Sequence, residues 1–172
     1  NGDIPWKIIK DLKYFKDVTS FNKKSGENVV IMGRKTWESI PEKFKPLSNR
    51  INIVLSNTLN EDSLKDYSNT FVYRSLNDVL SMSYQKSNIF VIGGGQIYNE
   101  AINHPMCDKL YITEIYKDYE CDTFFPDYKD MHFHLTNVSE FHYDQSSNVY
   151  FRYLVLTSQK KIDSTKELTW KN

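Results

Sequence analysis

Cysteine is scarce in this chain: Cys107 and Cys121 are the only two among 172 residues, and neither belongs to a CxxC pair. Two are too few for a disulfide-stapled secreted scaffold, so a reducing cytoplasm is the expected location. An excess of one charge is lacking as well. The 22 Lys+Arg balance the 22 Asp+Glu, giving a formal net charge of +0, whereas a surface that coats phosphate backbone carries a basic excess. Nucleic acid is therefore not an expected partner. No apolar run approaches the roughly 18 residues that cross a bilayer, and no charged-then-apolar leader opens the chain, so no membrane partner is expected. The four histidines, His104, His132, His134 and His142, form no HExxH motif and have no cysteines at zinc spacing, which argues against a metal site. No GxSxG elbow is present, and Cys107 and Cys121 read as buried small apolar residues rather than nucleophiles.

Core material, by contrast, is plentiful. Hydrophobic residues make up 40% and aromatics 15%, enough for one packed domain of this length and not the composition of a disordered chain. Residues 1–159 are expected to form that domain. Residues 160–172 are polar apart from Leu168 and Trp170, and read as a tail or linker. The first dipeptide, Asn1-Gly2, is a turn signal, which leads us to expect an element preceding it.

Apolar residues at Ile8, Leu12 and Phe15 have helical spacing, and Lys7, Lys10, Lys13 and Lys16 decorate the remaining surface. Asp11, at i+3 from Ile8, falls in the apolar stripe, an unusual place for a carboxylate. It is either a helix-flank residue paired with Lys7 or another segment, or a functional group. Four short apolar runs follow: Asn28 to Gly33, Ile51 to Ser56, Thr70 to Arg74 and Asn88 to Ile92. The first leads into a short helix at Arg34–Ile40, the third into a helix signalled by the capping-box spacing of Ser75 and Asp78, and the fourth into a helix after Gly93-Gly94-Gly95. Strands alternating with helices predict an α/β fold whose central sheet is mostly parallel, with helices on both faces. Leu110–Ile115 reads as one more strand, and the β-rich runs His132–Tyr143 and Val149–Ser158 predict an antiparallel hairpin on the sheet edge.

Ligand chemistry is suggested at the strand ends. Gly93-Gly94-Gly95 permits close backbone approach and aims helix N–H groups at an anion, yet matches neither GxGxxG nor GxxxxGK[ST]. A crowded turn packed against its neighbour is the competing reading. Gly33-Arg34-Lys35-Thr36 places two cations where they oppose the helix dipole, and a bound phosphate would account for them. Ser56 and Arg74 end the next two strands along the same edge, where open α/β sheets bind ligands. A nucleotide with an additional phosphate, as in NADPH, fits this layout better than NADH.

Taken together, these residues resemble the dihydrofolate reductase family over nearly the whole chain. The resemblance rests on six segments in order: Asn1–Trp6, Asp11–Phe15, Val30–Pro41, Pro46–Asn52, Ile92–Tyr98 and Asp122–Pro126. It implies the three-layer fold of that family, with a first strand lying before the Asn1-Gly2 turn and outside these 172 residues. It further implies Asp11 as the carboxylate that holds the pterin ring, with Thr113 fixing it; Trp6, Leu12, Phe15, Ser39, Ile40, Leu47, Ile92 and Tyr98 as substrate contacts; and Arg50 as the partner of the glutamate-tail carboxylate. For NADPH it implies Gly33, Thr36, Gly94, Gly95, Gln96, Ile97 and Tyr98, with Arg34, Lys35, Ser56 and Arg74 as candidates for the 2′-phosphate. The implied reaction is hydride transfer from nicotinamide C4 to dihydrofolate C6, with a proton reaching N5 through water under the influence of Asp11. Antifolates are implied as further ligands, and a covalently linked thymidylate synthase domain downstream is an open expectation. Two alternatives stand beside this: a non-catalytic nucleotide-binding domain, or a reductase of another heterocycle on the same fold.

Overall fold

A computed structural model describes residues 4–23, 26–82, 87–129 and 131–160. The expected tail beyond Lys160 and the Asn1-Gly2 turn lie outside the described residues. The chain divides into two compact units, one built mainly from Leu12–Ala101 and the other from Pro5–Asp11 together with the chain from Ile102 onward. Helix α1, Ile9–Ser20, begins in the second and continues in the first.

In the first unit, β1 (Asn28–Gly33) pairs in parallel with β2 (Arg50–Leu55) and with β4 (Ile89–Val91), and β2 pairs in parallel with β3 (Thr70–Tyr73). The order is β3-β2-β1-β4. Residues Val29, Val30, Ile31 and Met32 are each 0% exposed, because both faces of the sheet are covered. On one face Val29, Ile31 and Ile53 meet Leu76 and Val79 of α3 (Leu76–Ser81). On the other, Val30, Met32 and Val54 meet Leu64 and Trp37 of α2 (Arg34–Ser39). The Ser75 hydroxyl accepts from the Asp78 N–H and the Asp78 carboxylate accepts from the Ser75 N–H, the capping box its spacing predicts. From β1 the chain adds strands outward through β2 and β3, then returns to place β4 on the other side of β1. The carboxyl ends of β1 and β4 thus flank a switch point, the position where open α/β sheets receive ligands.

The second unit is organised on β8 (Val149–Ser158), which pairs antiparallel with β5 (Lys109–Ile115), β6 (Phe133–Val138) and β7 (His142–Asp144). The antiparallel pairing expected of the runs His132–Tyr143 and Val149–Ser158 is present, in β6 and β7 against β8; among the described residues these strands pair with one another and with β5, not with the edge of the parallel sheet, which corrects their expected place. The ten residues of β8 gather the other three strands. One edge is taken along its length by β5 and the other by β6 and then β7, with a register shift between Leu135 and Asn137. Ile102, at the end of α4 (Gly95–Ile102), packs with Leu110, Phe133, Leu154 and Leu156 as the core.

Two further expectations are corrected. Cys107 packs against that core and is half-buried, but Cys121 is exposed, since it lies in the irregular stretch between β5 and β6. Leu12 is 55% exposed rather than part of a buried stripe. Buried Ile8 precedes α1, and within the helix Thr19 is the buried residue while Phe15 is partly covered; the buried face is narrower than the apolar spacing suggests. Among the described residues no helix is long and apolar enough to cross a membrane.

Candidate active site

Asp11 lies in the first turn of α1, where its N–H donates to the Ile8 carbonyl at 3.1 Å. The entry to this helix is tied down twice: Ser147 Oγ donates to the Lys7 carbonyl at 3.1 Å, and Lys10 Nζ lies 2.9 Å from His142 Nδ1. Thr113, on β5, donates from Oγ1 to Asp11 Oδ1 at 2.6 Å. Burial pushes the Asp11 carboxyl above the usual carboxylate range, and the Thr113 hydrogen bond pulls it part of the way back. An ionised carboxylate has about four lone-pair sites, so one hydroxyl leaves capacity for a pair of N–H donors. The pairing partner of Asp11 is thus the neutral Thr113 of another segment rather than Lys7, and the capacity left over is what a functional role requires. Trp6, in the same unit, packs on Tyr119 with ring centroids 5.1 Å apart.

The switch point of the parallel sheet is made by two glycine turns in direct contact. The Gly33 N–H donates to the Gly93 carbonyl at 2.8 Å, and a Cβ built on Gly33 would lie 3.0 Å from Ile97 Cδ1. Gly93 has φ +122°, a conformation L side chains rarely adopt, and a Cβ there would meet Thr36 Oγ1 and Tyr98 at 3.5 Å. The peptide bond Gly93-Gly94 is cis. Helix α4 begins at Gly95, and the Tyr98 N–H donates to the Gly94 carbonyl at 3.0 Å. The N–H groups of Gly95, Gln96 and Ile97 precede that bond, so they form the donor end of the helix. Thr36, Gly33, Gly93, Gly94, Ile97 and Tyr98 are thus brought together. Burial pushes the Tyr98 phenol up to about 12, so it stays neutral.

Arg50 is only 4% exposed, and desolvation lowers its pKa. Its Nε donates to the Ser48 carbonyl at 2.9 Å, its Nη1 donates to Thr19 Oγ1 at 2.8 Å, and its guanidinium lies 5.8 Å from the Phe15 ring centroid. Among the described residues no carboxylate is ion-paired with it. A buried cation held only by neutral acceptors favours an incoming anion. Ile40, Leu47 and Ile92 are partly buried, each packed against the cluster that holds Trp37, Val30 and Met32.

Two of the cations expected at a phosphate, Arg34 and Arg74, have partners within the protein. Arg34 is paired with Glu38 one helical turn on, Nη1 to Oε1 at 2.8 Å, which accounts for a cation at the start of α2 without a phosphate. Arg74 and Ser56 are brought together: Arg74 Nη1 donates to the Ser56 carbonyl at 2.6 Å and the Leu59 carbonyl at 2.8 Å, while Ser56 Oγ accepts from the Thr58 and Leu59 N–H groups. Lys35 and Gln96 are exposed, and Ser39 Oγ donates to the Thr36 carbonyl at 2.8 Å.

Three supporting residues escaped the sequence reading. Thr19 Oγ1 donates to the Phe15 carbonyl at 2.7 Å while accepting from Arg50. Buried Asn28 donates to the Thr19 and Phe21 carbonyls at 2.9 and 2.8 Å. Asn52 bonds the backbone of Leu47. The available signal was polar: an Asn heads or interrupts an otherwise apolar strand in both Asn28-Val29-Val30 and Ile51-Asn52-Ile53.

A family model described as dihydrofolate reductase matches residues 1–158. The chain is similar to the dihydrofolate reductase of Heliothis virescens, at 42% identity over 143 residues, covering 80% of this chain and 76% of the relative. Similarity to the Pneumocystis carinii dihydrofolate reductase is 44% over 138 residues, covering 73% of this chain and 66% of that protein. The Arabidopsis thaliana bifunctional dihydrofolate reductase-thymidylate synthase 2 is 44% identical over 133 residues; the match covers 73% of this chain but only 23% of that longer protein. The chain therefore belongs to the dihydrofolate reductase family.

Proposed function

We propose that the protein reduces 7,8-dihydrofolate to tetrahydrofolate with NADPH, with Asp11 and Thr113 at the pterin and Arg50 at the glutamate tail. The observation that carries this reading is the half-buried Asp11 carboxyl, held by a hydroxyl and lying at the head of a helix. Ionised, it accepts two parallel N–H bonds from the pterin's N3 and 2-amino groups, which fixes the ring's orientation. Thr113 occupies one lone pair of one carboxyl oxygen, which leaves lone pairs on both oxygens for the ligand. The Arg50 guanidinium receives the α-carboxylate of the tail, and Ile40, Leu47 and Ile92 offer apolar surface to the aromatic body of the substrate. Tyr98, as a neutral phenol, adds bulk without charge.

The two glycine turns and the donor end of α4 suit a diphosphate, since a Cβ at Gly33 would already crowd Ile97 and the residues leading into the helix, Gly94 and Gly95, carry no side chains of their own. Gly33, Thr36, Gly94, Gly95, Gln96, Ile97 and Tyr98 would hold NADPH, with Lys35, Ser56 and Arg74 toward its additional phosphate and Arg34 held by Glu38. When bound, this cofactor supplies the hydride. The protein's own part is to bind, orient and exclude water, and to let a proton reach N5 beside a carboxyl whose affinity for protons burial has raised. NADPH oxidation on addition of dihydrofolate, with NADH and an antifolate as controls, tests this directly. NADPH-selective turnover blocked by the antifolate is expected, and its absence from the native protein would overturn the assignment.

The plant relatives named bifunctional dihydrofolate reductase-thymidylate synthase support a further proposal, that a thymidylate synthase domain is covalently linked downstream. Both activities should then purify with a single polypeptide. The two free thiols support a reducing, cytoplasmic location, which imaging of the tagged native protein would check.

A further inference from the structure

We propose that Asn52 is a positioning residue for the tail-binding cation Arg50, an inference that rests on the reading of Arg50 as the carboxylate receptor. Asn52 sits inside β2 between Val30 and Thr70 on the neighbouring strands, and it is 0% exposed. A primary amide in such a place is costly unless its donor and acceptor are used. Its Oδ1 accepts from the Leu47 N–H at 2.9 Å, and its Nδ2 donates to the Leu47 carbonyl at 3.0 Å and the Arg50 carbonyl at 2.9 Å. All three bonds close one short turn, Leu47-Ser48-Asn49-Arg50, in which Asn49 has φ 58°. The carboxamide therefore plays the part of a neighbouring strand for Leu47, giving and receiving one bond each.

Arg50 donates from Nε back into the same turn, to the Ser48 carbonyl. The order of support is thus Asn52 to the turn, and the turn to the guanidinium. Thr19 holds Nη1 independently, so loss of Asn52 should misdirect Arg50 without freeing it. Only a side chain with both a donor and an acceptor at this reach serves both ends. Aspartate keeps the acceptor but turns lone pairs toward two carbonyls, and serine is too short to reach both.

The test uses the native protein and its Asn52→Asp and Asn52→Ser variants, each assayed with dihydrofolate and with a dihydropterin that lacks the aminobenzoylglutamate tail. The KM for dihydrofolate should rise about tenfold with kcat within about threefold, while the tail-less substrate changes by less than about twofold. Equal losses on both substrates would mean a general structural role and would overturn the proposal. Arg50→Lys is the control for the underlying reading. If it leaves the dihydrofolate KM unchanged, the tail assignment falls and takes this proposal with it; if it raises that KM and the Asn52 variants do not, the Asn52 proposal alone falls. Should the variants not fold, amide exchange in the unaltered protein decides: protection at Leu47 that increases with folate but not with pterin supports the role, and exchange at solvent-like rates overturns it.

Discussion

A carboxyl whose pKa burial raises keeps its proton over a pH range in which the unfolded chain has already lost it. The stability that Asp11 contributes is therefore present at low pH and is lost as pH rises from the ordinary carboxylate value through the raised one. Asp11→Asn removes that loss while keeping an oxygen for Thr113. At neutral pH this variant should melt at or above the wild-type temperature and yet lose turnover by about a hundredfold or more; a variant that turns over normally would refute the role given to Asp11. Thr113→Val acts in the opposite sense to the hydroxyl it removes. Thr113 lowers the Asp11 pKa, so the valine variant should show dihydrofolate KM beginning to rise on acidification at a higher pH than in wild type, read from a KM profile against pH. Not all of this was legible in the sequence. Asp11 and Arg50 could be singled out because each lies in a short recognisable segment. The Arg34–Glu38 pair is legible from i,i+4 spacing alone and gives Arg34 a partner besides a phosphate. Thr19 and Asn52 were hidden, since Thr19 meets Arg50 only after distant segments fold together, and a polar residue inside an apolar run reads as an interruption until its partners are seen.

Among elements, the helices and parallel strands were legible because their signals are local. Apolar runs of strand length, each followed by a glycine or a cap, locate β1 to β4, and the Ser75–Asp78 spacing marks the start of α3. Ser75→Ala leaves the N–H of Asp78 without its side-chain acceptor, and should lower unfolding free energy by about 1 kcal/mol with the denaturant slope unchanged. A shift in midpoint smaller than the experimental scatter would show that the cap is redundant. The partition of the late strands was not legible. Which edge a strand uses depends on the lengths of its partners, and β8 was long enough to satisfy β5, β6 and β7 at once. Nor did apolar spacing reveal how narrow the buried line of α1 would be, which left Leu12 outside.

At the scale of the whole chain, 22 positive and 22 negative side chains cancel, so an anionic substrate feels no net attraction at long range. Under the proposed reading, recognition of its tail is left to one buried guanidinium, that of Arg50. The kcat/KM for dihydrofolate should accordingly change by only about twofold as added salt shortens the Debye length from about 30 to about 8 Å, a dependence that stopped-flow or steady-state assays at several ionic strengths would reveal. The contact between the two glycine turns carries a different consequence, one that concerns descent. Gly33 and Gly93 belong to segments far apart in the chain, yet the amide of one is bonded to the carbonyl of the other, and Ile97 closes against the space where a Gly33 side chain would stand. Neither segment can drift alone. In any lineage that replaces one of these glycines, the compensating change should be found at the other turn or at Ile97, so that two stretches separated in the gene are inherited as if they were one.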